Sequence, residues 1–242
     1  MPTAWSVALA AAVELCDPQI DYSQYTIIMI YPYDWPGMGE GGFFIGATLV
    51  TDEGQLPYCS IGYISPTPRT VVHELEHCIA LPHAHSLKCE GYVYGSNCTH
   101  IEYGDSFDVM GLSNGHNNCA YKEMMGWVNP TKVTNGTYTL SMLEYRWSPN
   151  DVQCLALDVD SNYNYATSNM RCDKLYLEYR KQVGFDKQLP IPTNGGLALH
   201  CMSTVTNQSP YRRSWLLDCT PWSQDSDQLV IIGRTCDTNT GY

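Results

Sequence analysis

Apolar positions change period along the first eighty residues. An almost unbroken apolar run over residues 5–13 is followed by Glu14 and Cys16-Asp17-Pro18, which predicts a short amphipathic helix. Residues 25–31, Tyr-Thr-Ile-Ile-Met-Ile-Tyr, are β-rich and closed by Pro32 and Asp34-Trp35-Pro36-Gly37, predicting a central strand and then a loop. Short strands are expected at 43–45, 48–51 and 58–64. The spacing then turns helical. Val71, Leu75, Cys78 and Ile79 recur behind Thr67, a good N-cap, and Pro68, suited to the first helical position. Pro82 stops this helix, because Leu81 before it is driven out of the right-handed region.

Residues 83–118 show no clear period and are rich in Gly, Asn, Tyr and Cys, so a long ordered loop region pinned by cysteines is expected, of the kind that carries function. Residues 120–125 read as a turn or two of helix before Gly126-Trp127-Val128-Asn129-Pro130 breaks it. Beyond lie strand candidates at 138–143, 152–159, 174–179, 196–202 and 229–232. The expected fold class is α+β, divided near Asn129 into a catalytic unit (1–128) and a β-rich, sandwich-like unit (129–242). No internal repeat is visible.

Composition narrows the class. The 242 residues suffice for a sizeable core, and 44% hydrophobic with 16% charged residues is globular. Thirteen Lys plus Arg against 25 Asp plus Glu give a net charge of -12, which excludes nucleic acid and anionic membranes as natural partners. The longest apolar stretches, 7–13 and 26–31, fall far short of the roughly 20 residues of a membrane-spanning helix. Eleven cysteines, spread evenly and never as C-x-x-C, exclude a zinc ribbon or thioredoxin motif and read as disulfides; the odd number leaves at least one thiol free or paired outside this chain. Three sequons, at Asn97, Asn135 and Asn207, agree with a secreted glycoprotein. Residues 5–13 resemble a signal peptide's apolar region but lack its basic start, so they are assigned to the mature domain, and the targeting segment is expected to lie outside this sequence. A monomer is expected.

The informative stretch is His73-Glu74-Leu75-Glu76-His77-Cys78-Ile79-Ala80-Leu81-Pro82-His83. Histidines four apart on a helix project from one face, within reach of one zinc ion. Glu74 between them can stand beside a metal-bound water. His83 follows the Pro82 break and is the candidate third ligand. Three protein ligands with an open fourth position define a catalytic zinc, whereas a structural site is closed by a fourth side chain.

A second signature is Glu102-Tyr103-Gly104-Asp105-Ser106-Phe107-Asp108-Val109-Met110-Gly111. Together the two motifs resemble the metzincin metalloproteases, with Met110 in the place of the Met-turn methionine. More narrowly, the second resembles the gametolysin family of secreted algal cell-wall proteases, and Tyr176-Leu177-Glu178-Tyr179-Arg180 followed by Gly184-Phe185-Asp186 looks like that family's β-rich region after the catalytic core. The resemblance implies a metzincin-like catalytic unit and a secreted zinc endopeptidase acting on extracellular or cell-wall proteins. In it His73, His77 and His83 bind zinc, Glu74 activates the zinc-bound water, and Met110 is a structural floor. The chain departs from the pattern at Ala80 and Glu76, where the family has or often has glycine, and at Leu112, where some metzincins place a tyrosine. If the turn keeps its geometry, Ala80 is left-handed. Ala80 and Glu76 motivate the alternative, a catalytically inactive metzincin-like binding module.

Other constellations are weaker. Gly111-Leu112-Ser113-Asn114-Gly115 matches a nucleophile elbow, with His116 and His200 as available bases, but lacks the strand-to-helix context. Asp158, Asp160, Asn162 and Asn164 start like an EF-hand, yet Tyr163 and Asn169 occupy the glycine and glutamate positions. Glu102, Asp105 and Asp108 are candidates for calcium or for hydrogen bonds holding the turn, and the second is preferred. His85 is the rival to His83; His100, His116 and His200 read as surface or hydrogen-bonded residues, and Cys78 as a disulfide or buried thiol.

Overall fold

The N-terminal apolar run forms helix α1 (Ala4–Cys16), and the β-rich run after it supplies strand β1 (Ile28–Ile30). The computed structural model describes residues 4–31, 48–61, 67–91, 93–94, 98–144, 148–159, 172–203, 212–220 and 229–231, and all structural statements below concern these. Two compact units result, Met1–Leu81 and Pro82–Tyr242.

In the first unit β2 (Thr48–Thr51) and β3 (Gly54–Ser60) form a hairpin, and β1 joins β3 in parallel, giving the order β1-β3-β2. Leu9 and Val13 of α1 pack with Tyr22, Leu49, Ile28, Ile30, Leu56 and Tyr58. Each fully buried aliphatic side chain here contributes about 1.5–3 kcal/mol. Helix α2 (Pro68–Cys78) starts as its sequence predicts: Thr67 Oγ1 accepts the Thr70 N–H at 3.3 Å, and Pro68 sits in the first turn. Its far end is docked on β3, where Cys78 Sγ donates to the Tyr58 carbonyl at 3.2 Å. The strand expected at 43–45 lies outside the described residues, as do 62–66 of the one expected at 58–64.

The second unit contains β4 (Ala84–Cys89), β5 (Cys98–Ile101), α3 (Cys119–Met124), β6 (Thr131–Lys132), β7 (Cys154–Asp158), β8 (Lys174–Arg180), β9 (Gly196–Met202), β10 (Ser214–Leu217) and β11 (Leu229–Ile231). The strands form one mixed sheet in the order β5-β4-β10-β9-β8-β7-β6, with β11 also on β9. The late strand β10 lies parallel to β4 and antiparallel to β9. The boundary expected near Asn129 therefore falls inside this unit, because β4 and β5 share a sheet with strands from beyond it. The α+β class holds. Of the sandwich-like expectation only the β content is met, since the described strands of this unit form a single sheet.

Two further expectations need correction. No strand forms at 138–143; Met142 makes an isolated bridge to Tyr179, while the Ser141 and Leu143 N–H groups bond the Val152 and Tyr179 carbonyls, which splits the segment between two partners. The stretch 83–118 contains β4 and β5 despite its lack of period. Five of the six β4 residues are buried, His85 and Ser86 among them, so no alternation of polar and apolar positions marks the strand. Three cysteine pairs lie at disulfide distance: Cys89–Cys98 across the β4–β5 hairpin, Cys119–Cys154 between α3 and β7, and Cys172–Cys201 between the entry to β8 and β9. Cys16, Cys59 and Cys78 are thiols. No described helix is long and apolar enough to cross a membrane.

The loop that follows β5 is held by buried charge. Arg180 is fully buried, its Nε 2.6 Å from Asp186 Oδ2, Nη1 2.9 Å from Glu178 Oε1 and Nη2 2.8 Å from the Phe107 carbonyl. His200 Nε2 stands 2.9 Å from Asp105 Oδ2, and Asp105 Oδ1 accepts the Phe107 N–H at 2.9 Å. Burial works against charge on both partners. For His200 the nearby Glu178 and Asp105 outweigh it and raise its pKa, and for Asp105 the His200 ring outweighs it and lowers its pKa. The stabilisation from His200 is full below its ordinary value of 6.5 and is lost as pH rises through its raised folded value. That from Asp105 is present above its ordinary 3.8 and lost as pH falls through its lowered one. Asp105→Asn should therefore destabilise by about 3–5 kcal/mol near neutral pH and flatten the acid limb, as checked by urea unfolding across a pH series.

Candidate metal centre

Helix α2 buries His73, Glu74 and His77. The two imidazoles, one turn apart, lie edge to face with centroids 4.8 Å apart. The helix ends in a Schellman turn: the Ala80 N–H bonds the His77 carbonyl at 3.0 Å, and the Leu81 N–H reaches back to the Glu76 carbonyl at 3.1 Å. Ala80, where the turn requires a left-handed residue, has φ 69°, the outcome expected if the turn keeps the geometry that the resemblance implies. The reversal brings the Leu81 carbonyl to 2.7 Å from His77 Nδ1. A carbonyl can only accept, so Nδ1 carries the proton and Nε2 keeps its lone pair.

His83 reaches the same tautomer by another route. Its Nδ1 lies 2.6 Å from Glu102 Oε1, so the proton sits on Nδ1 there too. The Tyr103 ring lies against the imidazole at 3.8 Å, and the Tyr121 hydroxyl donates to the His83 carbonyl at 2.7 Å. Tyr103 itself is left-handed, with φ 57°, a strained conformation of the sort that concentrates at functional sites. Along the continuous segment 73–83, one ligand atom from each of His73, His77 and His83 lies within 4.8 Å of the others. His85, the rival, belongs instead to a cluster with His100 and Glu102.

Glu74 is buried, and its Oε2 has no hydrogen-bond partner. Burial pushes its carboxyl up to about 8, with Cys78 adding to the rise and Arg69 opposing it. An orphaned buried carboxylate oxygen suits a place where positive charge or a proton is to be received. The donor set fits zinc: neutral imidazoles with Nε2 lone pairs, oriented by partners on Nδ1.

Met110 is fully buried in the second unit. Its N–H donates to Asp108 Oδ1 at 2.7 Å, and its carbonyl accepts from Ala84, the residue after His83, at 2.9 Å. At Gly111 a Cβ would sit 2.0 Å from the Asp105 carbonyl oxygen, so only glycine fits. Asp105 and Asp108 thus hold the turn through backbone N–H groups, the role preferred for them over calcium. Ser113 of the elbow-like pentapeptide accepts from the Gly115 N–H at 2.8 Å, and the pentapeptide lies in turns between β5 and α3, preceded by no strand of its own. Asp158 pairs with Lys132, and the rest of the EF-hand-like stretch, from Asp160 on, lies outside the described residues.

Sequence reasoning missed Glu102 as the orienting partner of His83, and Tyr103 and Tyr121 as its supports. No spacing announces them; the β4–β5 pairing brings Glu102 back beside the chain that leaves α2. The chain matches no family model, no curated protein and no solved structure.

Two results follow. Ala80→Gly removes a Cβ from a left-handed position and should stabilise the protein by about 1 kcal/mol in chemical denaturation. His83→Ala should lower zinc content sharply in metal analysis of dialysed protein, whereas His85→Ala should leave it near normal.

Proposed function

We propose that this chain is a secreted zinc endopeptidase of metzincin type, similar to the gametolysin family, acting on extracellular or cell-wall proteins. The observation that carries the reading is the grouping of His73, His77 and His83, two of them with Nδ1 committed to an acceptor, on a segment that also buries Glu74 with its Oε2 unpartnered. Zinc, when bound, supplies Lewis acidity toward the scissile carbonyl. His77 and His83 orient their Nε2 lone pairs through the Leu81 carbonyl and Glu102. Glu74 takes a proton from the attacking water and passes it to the leaving amine. Met110 takes no chemical step. The three cysteine pairs at disulfide distance favour an oxidising compartment.

The alternative, a metal-holding module without turnover, shares every feature except the work of Glu74. Glu74→Gln separates the two. In a gelatin or casein digest, the wild type should cleave and lose activity to a zinc chelator, while the variant keeps its zinc and loses roughly 10²- to 10⁴-fold in rate. A fully active variant overturns the mechanism, and an inert wild type with zinc bound establishes the binding module.

A further inference from the structure

Glu102 is shared by three imidazoles. Its Oε1 meets His83 Nδ1 at 2.6 Å, while Oε2 lies 3.2 Å from His100 Nε2 and 3.3 Å from His85 Nδ1, the last without hydrogen-bond geometry. His85, His100 and Glu102 have ligand atoms within 4.8 Å of one another, which would also admit a second ion. Trp215 decides between these uses. An indole N–H can only donate, and that of Trp215 points at His100 Nδ1 from 2.9 Å. Nδ1 must then offer its lone pair, so the proton of the neutral ring sits on Nε2, facing Glu102. An ion at Nε2 would need the opposite tautomer and would set two N–H groups against each other.

We infer that Trp215 and His100 are positioning residues for His83, acting through Glu102. The indole fixes the His100 tautomer, His100 Nε2–H engages Oε2, and the carboxylate so turned keeps the His83 proton on Nδ1 and its Nε2 bare. The inference rests on the reading of His83 as a zinc ligand. The fold supplies the rigidity. Trp215 is buried on β10, β10 pairs with β4 with Trp215 opposite His85, and β4 pairs with β5, which carries His100. The His85 ring fills the space between, 4.5 Å from the His100 ring and 5.9 Å from that of Trp215. Glu102 needs such a tether, since its side chain is 51% exposed and otherwise free to leave His83.

The test combines two measurements on the whole chain. Nitrogen-15 NMR of the imidazoles in metal-free protein should show His83 as the Nδ1–H tautomer and His100 as Nε2–H. Glu102→Ala should mix the His83 tautomers, and Trp215→Phe those of His100. Zinc affinity, by competition with a chromophoric chelator, should fall about 10- to 100-fold in Glu102→Ala. It should fall several-fold in Trp215→Phe and His100→Phe, and Trp215→Phe should change nothing further once Glu102 is alanine. Equal losses from Trp215→Phe in both backgrounds would mark a merely structural effect and overturn the relay. So would an unchanged His83 tautomer in Glu102→Ala, or a second equivalent of zinc that His85→Ala abolishes. If the wild type binds no zinc, the zinc reading fails by itself, and the tautomers still decide the relay.

Discussion

The candidate metal centre depends on one abrupt helix ending. A helix that carried on past Cys78 would turn the Leu81 carbonyl away from His77 and carry the following residues off along its axis. The left-handed Ala80 prevents both, at a cost of about 1 kcal/mol that glycine would not incur. The turn is closed by the Leu81 N–H on the Glu76 carbonyl, and the freed Leu81 carbonyl becomes the acceptor that sets the His77 tautomer. One backbone reversal thus ends the helix and orients the His77 imidazole. Pro82 contributes by denying the helix any continuation.

In the second unit, buried charge organises the loop alongside the apolar packing of Phe107. Arg180, Glu178 and Asp186 from the β8 region satisfy one another and reach the Phe107 carbonyl, while Asp105 and His200 join the same loop to β9. Charges so placed are costly to desolvate, and the arrangement persists because nearly every donor and acceptor is matched. What it yields is a defined path from Glu102 to Met110, fixed on one side by the His83 contact and on the other by the Ala84 N–H on the Met110 carbonyl.

The candidate site is therefore defined by hydrogen-bond direction as much as by proximity. His77, His83 and His100 each face a partner that can only donate or only accept, so each tautomer follows from the partner's chemistry. Glu74 is different, with a buried oxygen that no protein donor meets. The contrast is between imidazoles held by fixed partners and a carboxylate oxygen left without one.

The sequence by itself determined what is local. Thr67, Pro68 and the apolar spacing wrote α2, the four-residue interval placed His73 and His77 on one face, and Pro82 denied the helix a continuation, because each of these depends on neighbours within a few residues, whereas the left-handed Ala80 was decided by the structure. Strands β8 and β9 were legible for the same reason, from β-rich runs between turn residues. Only the tertiary structure decided the rest. Strands β4 and β10 are buried nearly throughout and so lack alternation, and β10 enters the sheet between strands far from it in the chain. Glu102, Trp215 and Tyr121 find their places through that pairing. A residue nineteen or more positions from its partner leaves no periodic trace, since its role is fixed by which strands become neighbours and not by its own surroundings in the chain.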